Sequence, residues 1–299
     1  MNLKSFLLAS IFVLPMAGCG GGGTAVSPEP LPIVAPVVNG VAYVAGSRGE
    51  YAITRVAAGK YSVTNQVNSI VTNVVDATAI GFSEVTINLG IGDKATALGA
   101  TRLNAIVELY MALMNQVPDA DSLAIWIDNI DPLKGGLTMG QAADQLHTLA
   151  ILAPPVETGY NASMLNAEFV TAVYKNVFGR TALTVADVQA WSSRLDKDEL
   201  SLSPGISRGA LVQEMLAAAR SGNGDLATAA VVNLLDNKVT VGRYFAVEQG
   251  INFNETPDPS SSSSSRRAQI ASKVTATDVA AAKGLIGFSD SAFNLALGG

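Results

Sequence analysis

The sequence predicts an α+β chain that is mainly α: a small N-terminal antiparallel β element followed by a multi-helix domain with a faint internal duplication. Three observations carry that prediction. Between Val41 and Leu89 polar and apolar residues alternate in short runs rich in β-branched and aromatic side chains, the period of half-buried strands. From Thr101 the period changes: Leu103, Ile106, Val107, Tyr110, Met111 and Met114 fall on one face of a helix. Two later stretches then repeat the same order of aromatic and capping residues.

The chain begins with a targeting signal. Lys4 supplies one positive charge, and an apolar run from Phe6 to Met16 follows. Its length suits a signal-peptide core and is short for a membrane span. It ends in Leu14-Pro15-Met16-Ala17-Gly18-Cys19. A thiol preceded by small residues resembles the lipobox of bacterial lipoproteins, with Met16 where that family most often has Leu. Residues 1–18 are thus expected as a signal peptide and Cys19 as the lipid attachment residue, and cleavage leaves 281 of the 299 residues. Cys19 is the single cysteine, so no intrachain disulfide can form. Two or three acyl chains hold a protein stably where one is marginal. Gly20, rather than Asp, follows the cysteine, and the resemblance to proteobacterial lipoproteins then implies the outer membrane.

Residues 19–37 are expected as a linker, because Gly20 to Gly23 and Pro28, Pro30, Pro32 and Pro36 favour extended, solvated backbone. Residues 38–98 form the expected β element. Tyr51 to Val56 and Lys60 to Thr64 flank the turn Ala57-Ala58-Gly59 as a hairpin, with further strands at Val71 to Val75 and Glu84 to Leu89. Residues 99–250 form the helical domain. After the helix from Thr101, helices are expected at Ser122 to Ile130, Thr138 to Leu152, Met164 to Phe178, Val185 to Leu195, Arg208 to Arg220 and Asp225 to Glu248. Thr138 and Ser207 stand where N-cap hydroxyls are wanted. The serine run Ser260 to Ser265 marks 251–274 as a linker, and 275–299 is left as a short C-terminal helix and tail.

Composition excludes some functions. Charged residues make up 15% of the chain and hydrophobic ones 48%, with a net charge of −6 and a mean hydropathy of +0.31. Those values describe a folding chain with no basic surface for nucleic acid. His147 is the only histidine, and no Gly-x-Ser-x-Gly elbow accompanies it, so a Ser-His-Asp triad is not expected. One histidine and one lipidated cysteine cannot build an ordinary zinc site. Asp119 and Asp121, with Asp128 and Asp131 beyond, could offer oxygens to calcium, yet their position suits capping of the next helix. Glu168, Asp187, Asp196, Asp198 and Glu199 sit at turns and helix starts, as solvated carboxylates do, rather than as a glycosidase pair. No cofactor and no catalytic residue is expected.

The repeat pairs Leu109 to Met114, Trp126 and Leu137-Thr138-Met139-Gly140 with Val173 to Arg180, Trp191 and Ile206-Ser207-Arg208-Gly209. Sixteen residues separate Tyr110 from Trp126 and seventeen separate Tyr174 from Trp191. Trp126 and Trp191 are expected inward among apolar neighbours, and are the candidate stacking residues if a ligand face exists, with Asp119 and Asp121 beside them. Here the chain resembles a bacterial family, the domain of unknown function 4214. The likeness rests on Phe169 to Arg180, Trp191, Ser207-Arg208-Gly209 and Asn237 to Ala246. Thr181 to Val185 replace the Pro-Asp turn and glycine of that family, and the Gly-Gly-x-Gly-x-Asp calcium repeats of hemolysin-type proteins are absent. The resemblance implies a surface-associated role outside the cytoplasm and no defined activity. The expected function is a lipid-anchored, noncatalytic structural or interaction module of the cell surface, its partners membrane lipid and an envelope protein or glycan. The alternatives are a carbohydrate-binding module and an envelope polysaccharide hydrolase.

Overall fold

The chain is seen as a computed structural model that describes residues 33–196, 205–222, 226–287 and 293–297. Cys19, the signal peptide, the linker up to Pro32, and Asp198 and Glu199 lie outside the described residues.

Eight short strands come first: β1 (Ile33–Val34), β2 (Val37–Val38), β3 (Val41–Tyr43), β4 (Tyr51–Ala57), β5 (Lys60–Asn65), β6 (Val71–Val75), β7 (Ala79–Gly81) and β8 (Val85–Asn88). The expected hairpin is β4–β5, pairing Ile53 with Val63 across Gly59, whose φ of +66° suits a residue without a Cβ. Alternation puts Ile53, Tyr61, Val63 and Val74 inward. The strands form two sheets, ordered β1-β6-β5-β4 and β2-β3-β7-β8-β9, the last strand, β9 (Ile251–Phe253), coming from far along the chain. An antiparallel element was expected, but β1 runs parallel to β6 and β3 parallel to β7. Each of those pairs joins strands separated in sequence by the hairpin, and local alternation is the same for either orientation.

The helices follow as α1 (Ile91–Leu98), α2 (Ala100–Met114), α3 (Ala120–Ile130), α4 (Met139–Leu152), α5 (Pro155–Thr158), α6 (Asn166–Phe178), α7 (Val185–Ser192), α8 (Arg208–Ser221) and α9 (Ala229–Arg243). Helix α1 corrects the expected end of the β element at residue 98: the strands stop at Asn88. It buries only Ile91, Gly92 and Ala95, one large side chain and two small residues, which leaves little periodic signal. The duplication appears as a repeated order of elements, α2–α3–α4 and α6–α7–α8. Tyr110 and Tyr174 are both buried. Thr138 caps α4 by accepting from the Gln141 N–H at 3.2 Å, and Ser207 caps α8 from Ala210 at 3.0 Å. Helices α4 and α8 pack together. A Cβ on Gly209 would lie 2.5 Å from the Ala143 carbonyl carbon, so the crossing needs glycine there.

The expected linker 251–274 is structured. After α9 and a π-helical turn, Tyr244–Glu248, strand β9 (Ile251–Phe253) pairs with β8 and buries Ile251 and Phe253. Helix α10 (Ser263–Ser272) starts inside the serine run, where the Ser262 hydroxyl accepts from Ser265 N–H. Serine is a poor interior helix former and a good cap, so a run of serines marks a helix start as readily as a joint. Arg267 fastens α10. Its guanidinium donates to the Tyr110 hydroxyl at 3.0 Å and pairs with Asp119 at 3.0 Å. The last helix, α11 (Ala280–Gly284), docks through buried Ala282 and Ile286. Farther on, the Phe293 carbonyl accepts from the Gln249 amide at 2.8 Å. No helix among the described residues is long and apolar enough to cross a membrane.

Candidate functional site

A polar cleft of about 630 Å³ opens between α2, α9 and the end of α8. Helix periodicity builds both walls. Thr101, Asn104 and Glu108 line it from α2, and Asp236, Thr240 and Arg243 from α9, each set spaced three and four residues apart and therefore on one face. Gly242 lets the helices approach, since a Cβ there would fall 2.7 Å from a Val107 methyl. The π turn after Arg243 brings Glu248, five residues on, to the same cleft; on a regular helix that step points about 140° away. Such turns recur at functional sites.

The charges fall into two sets. Arg220 is committed: its Nε and Nη2 donate to one oxygen of Glu108 at 3.1 and 2.6 Å, and its Nη1 bonds Asp236. Burial raises the Glu108 carboxyl above its usual value, against the pull of Arg220. Below the cleft, burial brings the Lys238 ammonium down to about 8, opposed by Glu108. Lys238 donates to the carbonyls of Asn176 and Val177 at 2.6 and 3.0 Å, capping the end of α6 where a cation is favoured. Arg243 and Glu248 form the second set. Among the described residues Arg243 donates only to the Asn104 amide oxygen at 3.1 Å, and its buried Nε finds no hydrogen-bond partner there. Among the described residues neither Arg243 nor Glu248 has an ion-pair partner. The cleft, which Thr101 and Thr240 also line, can therefore offer one guanidinium and one carboxylate to a ligand.

The residues singled out from sequence go elsewhere. Asp119 caps α3, accepting from Ser122 N–H at 2.7 Å, with its other oxygen on Arg267. Asp121 accepts from the Asn88 amide at 2.7 Å, and its N–H donates to Asn252 at 2.9 Å, so it joins α3 to β8 and β9. Asp128 pairs with Lys94 and Lys134, and Asp131 accepts from Leu133 N–H. These carboxylates do not converge, and no group of three potential metal ligands occurs among the described residues. Glu168 accepts from Leu165 N–H and Asp187 from Thr184 N–H, both local engagements at helix starts, and Asp196 accepts from the Asn166 amide 30 residues away, at the start of α6. His147 packs edge-on to Phe169 at 5.4 Å. Burial and nearby Arg208 lower its pKa, and its Nε2 has no hydrogen-bond partner among the described residues.

The two tryptophans differ. Trp191 is half-buried, with the Arg194 guanidinium 5.7 Å from its ring centre. Trp126 is 5% exposed, and the edge it shows forms part of a groove of about 440 Å³ with Ile125, Leu149, Asn129 and Gln145. The sequence reading missed the cleft. Its only advance signal was the polar spacing Thr101, Asn104, Glu108, which also describes an ordinary solvated helix face.

Compared with known proteins, the chain matches no family model, no curated protein and no solved structure.

Proposed function

We propose that the chain is a lipid-anchored, noncatalytic interaction module outside the cytoplasm, fastened to the bacterial outer membrane by acyl chains on Cys19 and serving assembly, adhesion or envelope scaffolding. The observation that carries this reading is the apolar run ending in Ala17-Gly18-Cys19. The folded body supports holding rather than reacting. Glu108 and Asp236 are engaged by Arg220, whereas Arg243 and Glu248 are available to a polar partner group. An envelope protein or glycan that presents a carboxylate beside a hydroxyl or ammonium group suits that pair. The likeness to the domain of unknown function 4214 belongs to the same proposal, and the repeated order of capped helices supports it.

Replacing Cys19 with alanine should move the protein from the membrane to the soluble fraction; a Cys19→Ala protein that still sediments with membranes overturns the anchor. Pull-down from intact envelopes should retain a partner with the native chain and lose it with Arg243→Ala and Glu248→Gln. Retention by both variants overturns the cleft as the holding site.

A carbohydrate-binding reading is favoured by one observation, the groove at Trp126 with amides at Asn129 and Gln145. A sugar offers an apolar face and hydroxyls to such a surface. On a glycan array, Asn129→Ala and Gln145→Ala should abolish binding without disturbing the core. Unchanged binding in both, or none by the native chain, removes this reading.

A further inference from the structure

The tether of the lipid anchor enters the fold at a tip of the first sheet that exposes several apolar residues. Strand β1 is the first described element after Cys19, and Ile33 lies opposite Thr72 of β6. Because β1 and β6 run parallel, the entry point sits beside the start of β6 and the turn before it, Asn65 to Ile70. That turn is braced from within. The Asn65 side chain accepts from the Val67 and Asn68 N–H groups at 2.9 and 3.1 Å, and Asn68 accepts from Ile70 N–H at 3.0 Å. These Asx bonds hold Val67 outward at 84% exposure, with Ile70 at 43%, Ile33 at 53% and Val34 at 64% beside it.

Two of the stretches at this end carry no charge, Tyr61 to Val75 and Pro30 to Ser47; the third, the start of β4, brings the exposed Glu50, whose carbonyl accepts from Gln66 N–H at 2.8 Å. A cluster of exposed β-branched residues is unusual on a soluble surface and marks an interaction site. The length of chain before it points to the occupant. Fourteen residue steps separate Cys19 from Ile33, which span at most about 50 Å when extended. A chain of that reach, fixed to lipid at one end and joined to this tip at the other, keeps the tip within touching distance of the bilayer. Val56, 64% exposed, lies at the opposite end of the same sheet, next to the β4–β5 turn.

We propose that the tip made by Val67, Ile70, Ile33 and Val34 is a second membrane contact, which seats in the lipid headgroup region beside the acylated cysteine. The inference rests on the anchor reading. With it, the body is held in one orientation on the surface instead of swinging freely. Amphipathic elements of this kind enter about 5–10 Å into the interface.

The test uses the full lipidated chain reconstituted in phosphatidylethanolamine and phosphatidylglycerol vesicles that contain brominated lipid. Val67→Trp and Val56→Trp each add one fluorophore to the two native tryptophans, and both positions are exposed enough to tolerate it. Bromine quenches tryptophan only at close range. The added emission at position 67 should be quenched at least about twofold more than that at position 56. Equal quenching at both positions, in protein that floats with the vesicles, overturns the tip contact and leaves the anchor standing. Protein that does not float overturns the anchor, and the tip contact with it.

Discussion

Gly209→Ala separates close helix crossing from ordinary packing. Gly209 stands in the first turn of α8, where α8 meets α4. An added Cβ would lie 2.5 Å from the Ala143 carbonyl carbon and 2.6 Å from both its oxygen and the Asp144 nitrogen. All three are helix backbone atoms, so no side chain can rotate away. The helices must part by about 1 Å to restore ordinary contact near 3.5 Å. Overpacking of that kind costs about 1–3 kcal/mol. Alanine regains at most about 1 kcal/mol over glycine in a helix. The parting also loosens Leu146, Leu211 and Val212, which are fully buried, so the net loss should be about 2 kcal/mol. The matching glycine of the other repeat is the control. A Cβ on Gly140 would meet Gln213 Oε1 at 3.6 Å, an ordinary contact, so Gly140→Ala keeps only the helix gain of up to about 1 kcal/mol. Thermal unfolding followed by tryptophan fluorescence measures both. At 2–4 °C per kcal/mol, Tm should fall by roughly 4–8 °C for Gly209→Ala and rise by roughly 2–4 °C for Gly140→Ala. A Gly209→Ala protein as stable as the native chain, or two glycines that respond alike, refutes the reasoning.

Three further outcomes follow from the packing. Arg267→Ala strands Asp119, whose side chain is 14% exposed, and should cost about 3–5 kcal/mol; Arg194→Ala breaks a pair with Glu214 in which both side chains are more than a third exposed, and should cost under about 1 kcal/mol. Equal losses would contradict the fastening of α10. Lys238 has a folded-state pKa near 8, below its unfolded value, so the unfolded chain binds more protons between those values and stability rises with pH there. From pH 7.5 to 9.5 the gain should be about 2 kcal/mol, read as a rising urea midpoint, and Lys238→Met should abolish the slope; an unchanged slope in the variant removes Lys238 as its source. The window stops short of the buried tyrosines, whose raised pKa values act in the opposite direction at higher pH. Trp126→Ala should destabilise by about 3–5 kcal/mol and Trp191→Ala by clearly less, measured by chemical denaturation; a larger loss at Trp191 would contradict the unequal burial of the repeat.

How far the sequence could be read depended on whether a signal was local. Helix α2 was legible because its apolar residues recur every three and four positions. Helices α4 and α8 were legible because Thr138 and Ser207 cap them, and the β4–β5 hairpin because Gly59 divides two alternating runs. Helix α1 was hidden by its small buried face, and α10 by serines that suit a cap as well as a linker. Strand β9 and the two parallel pairings were hidden because partner choice depends on distant chain. The same division holds at the site. Cys19 is a local chemical signal. Asp119 could be read as a cap, but its pairing with Arg267 could not. The cleft joins Glu108 to Arg220 across 112 residues, and nothing near either residue announces the other.

The lipid on Cys19 is the claim on which the functional account turns, and intact-protein mass spectrometry of the membrane-extracted chain tests it most directly. The account predicts a chain that begins at Cys19, shorter by 18 residues and heavier by two or three acyl chains. A chain that still begins at Met1, with an unmodified thiol at Cys19, would contradict it.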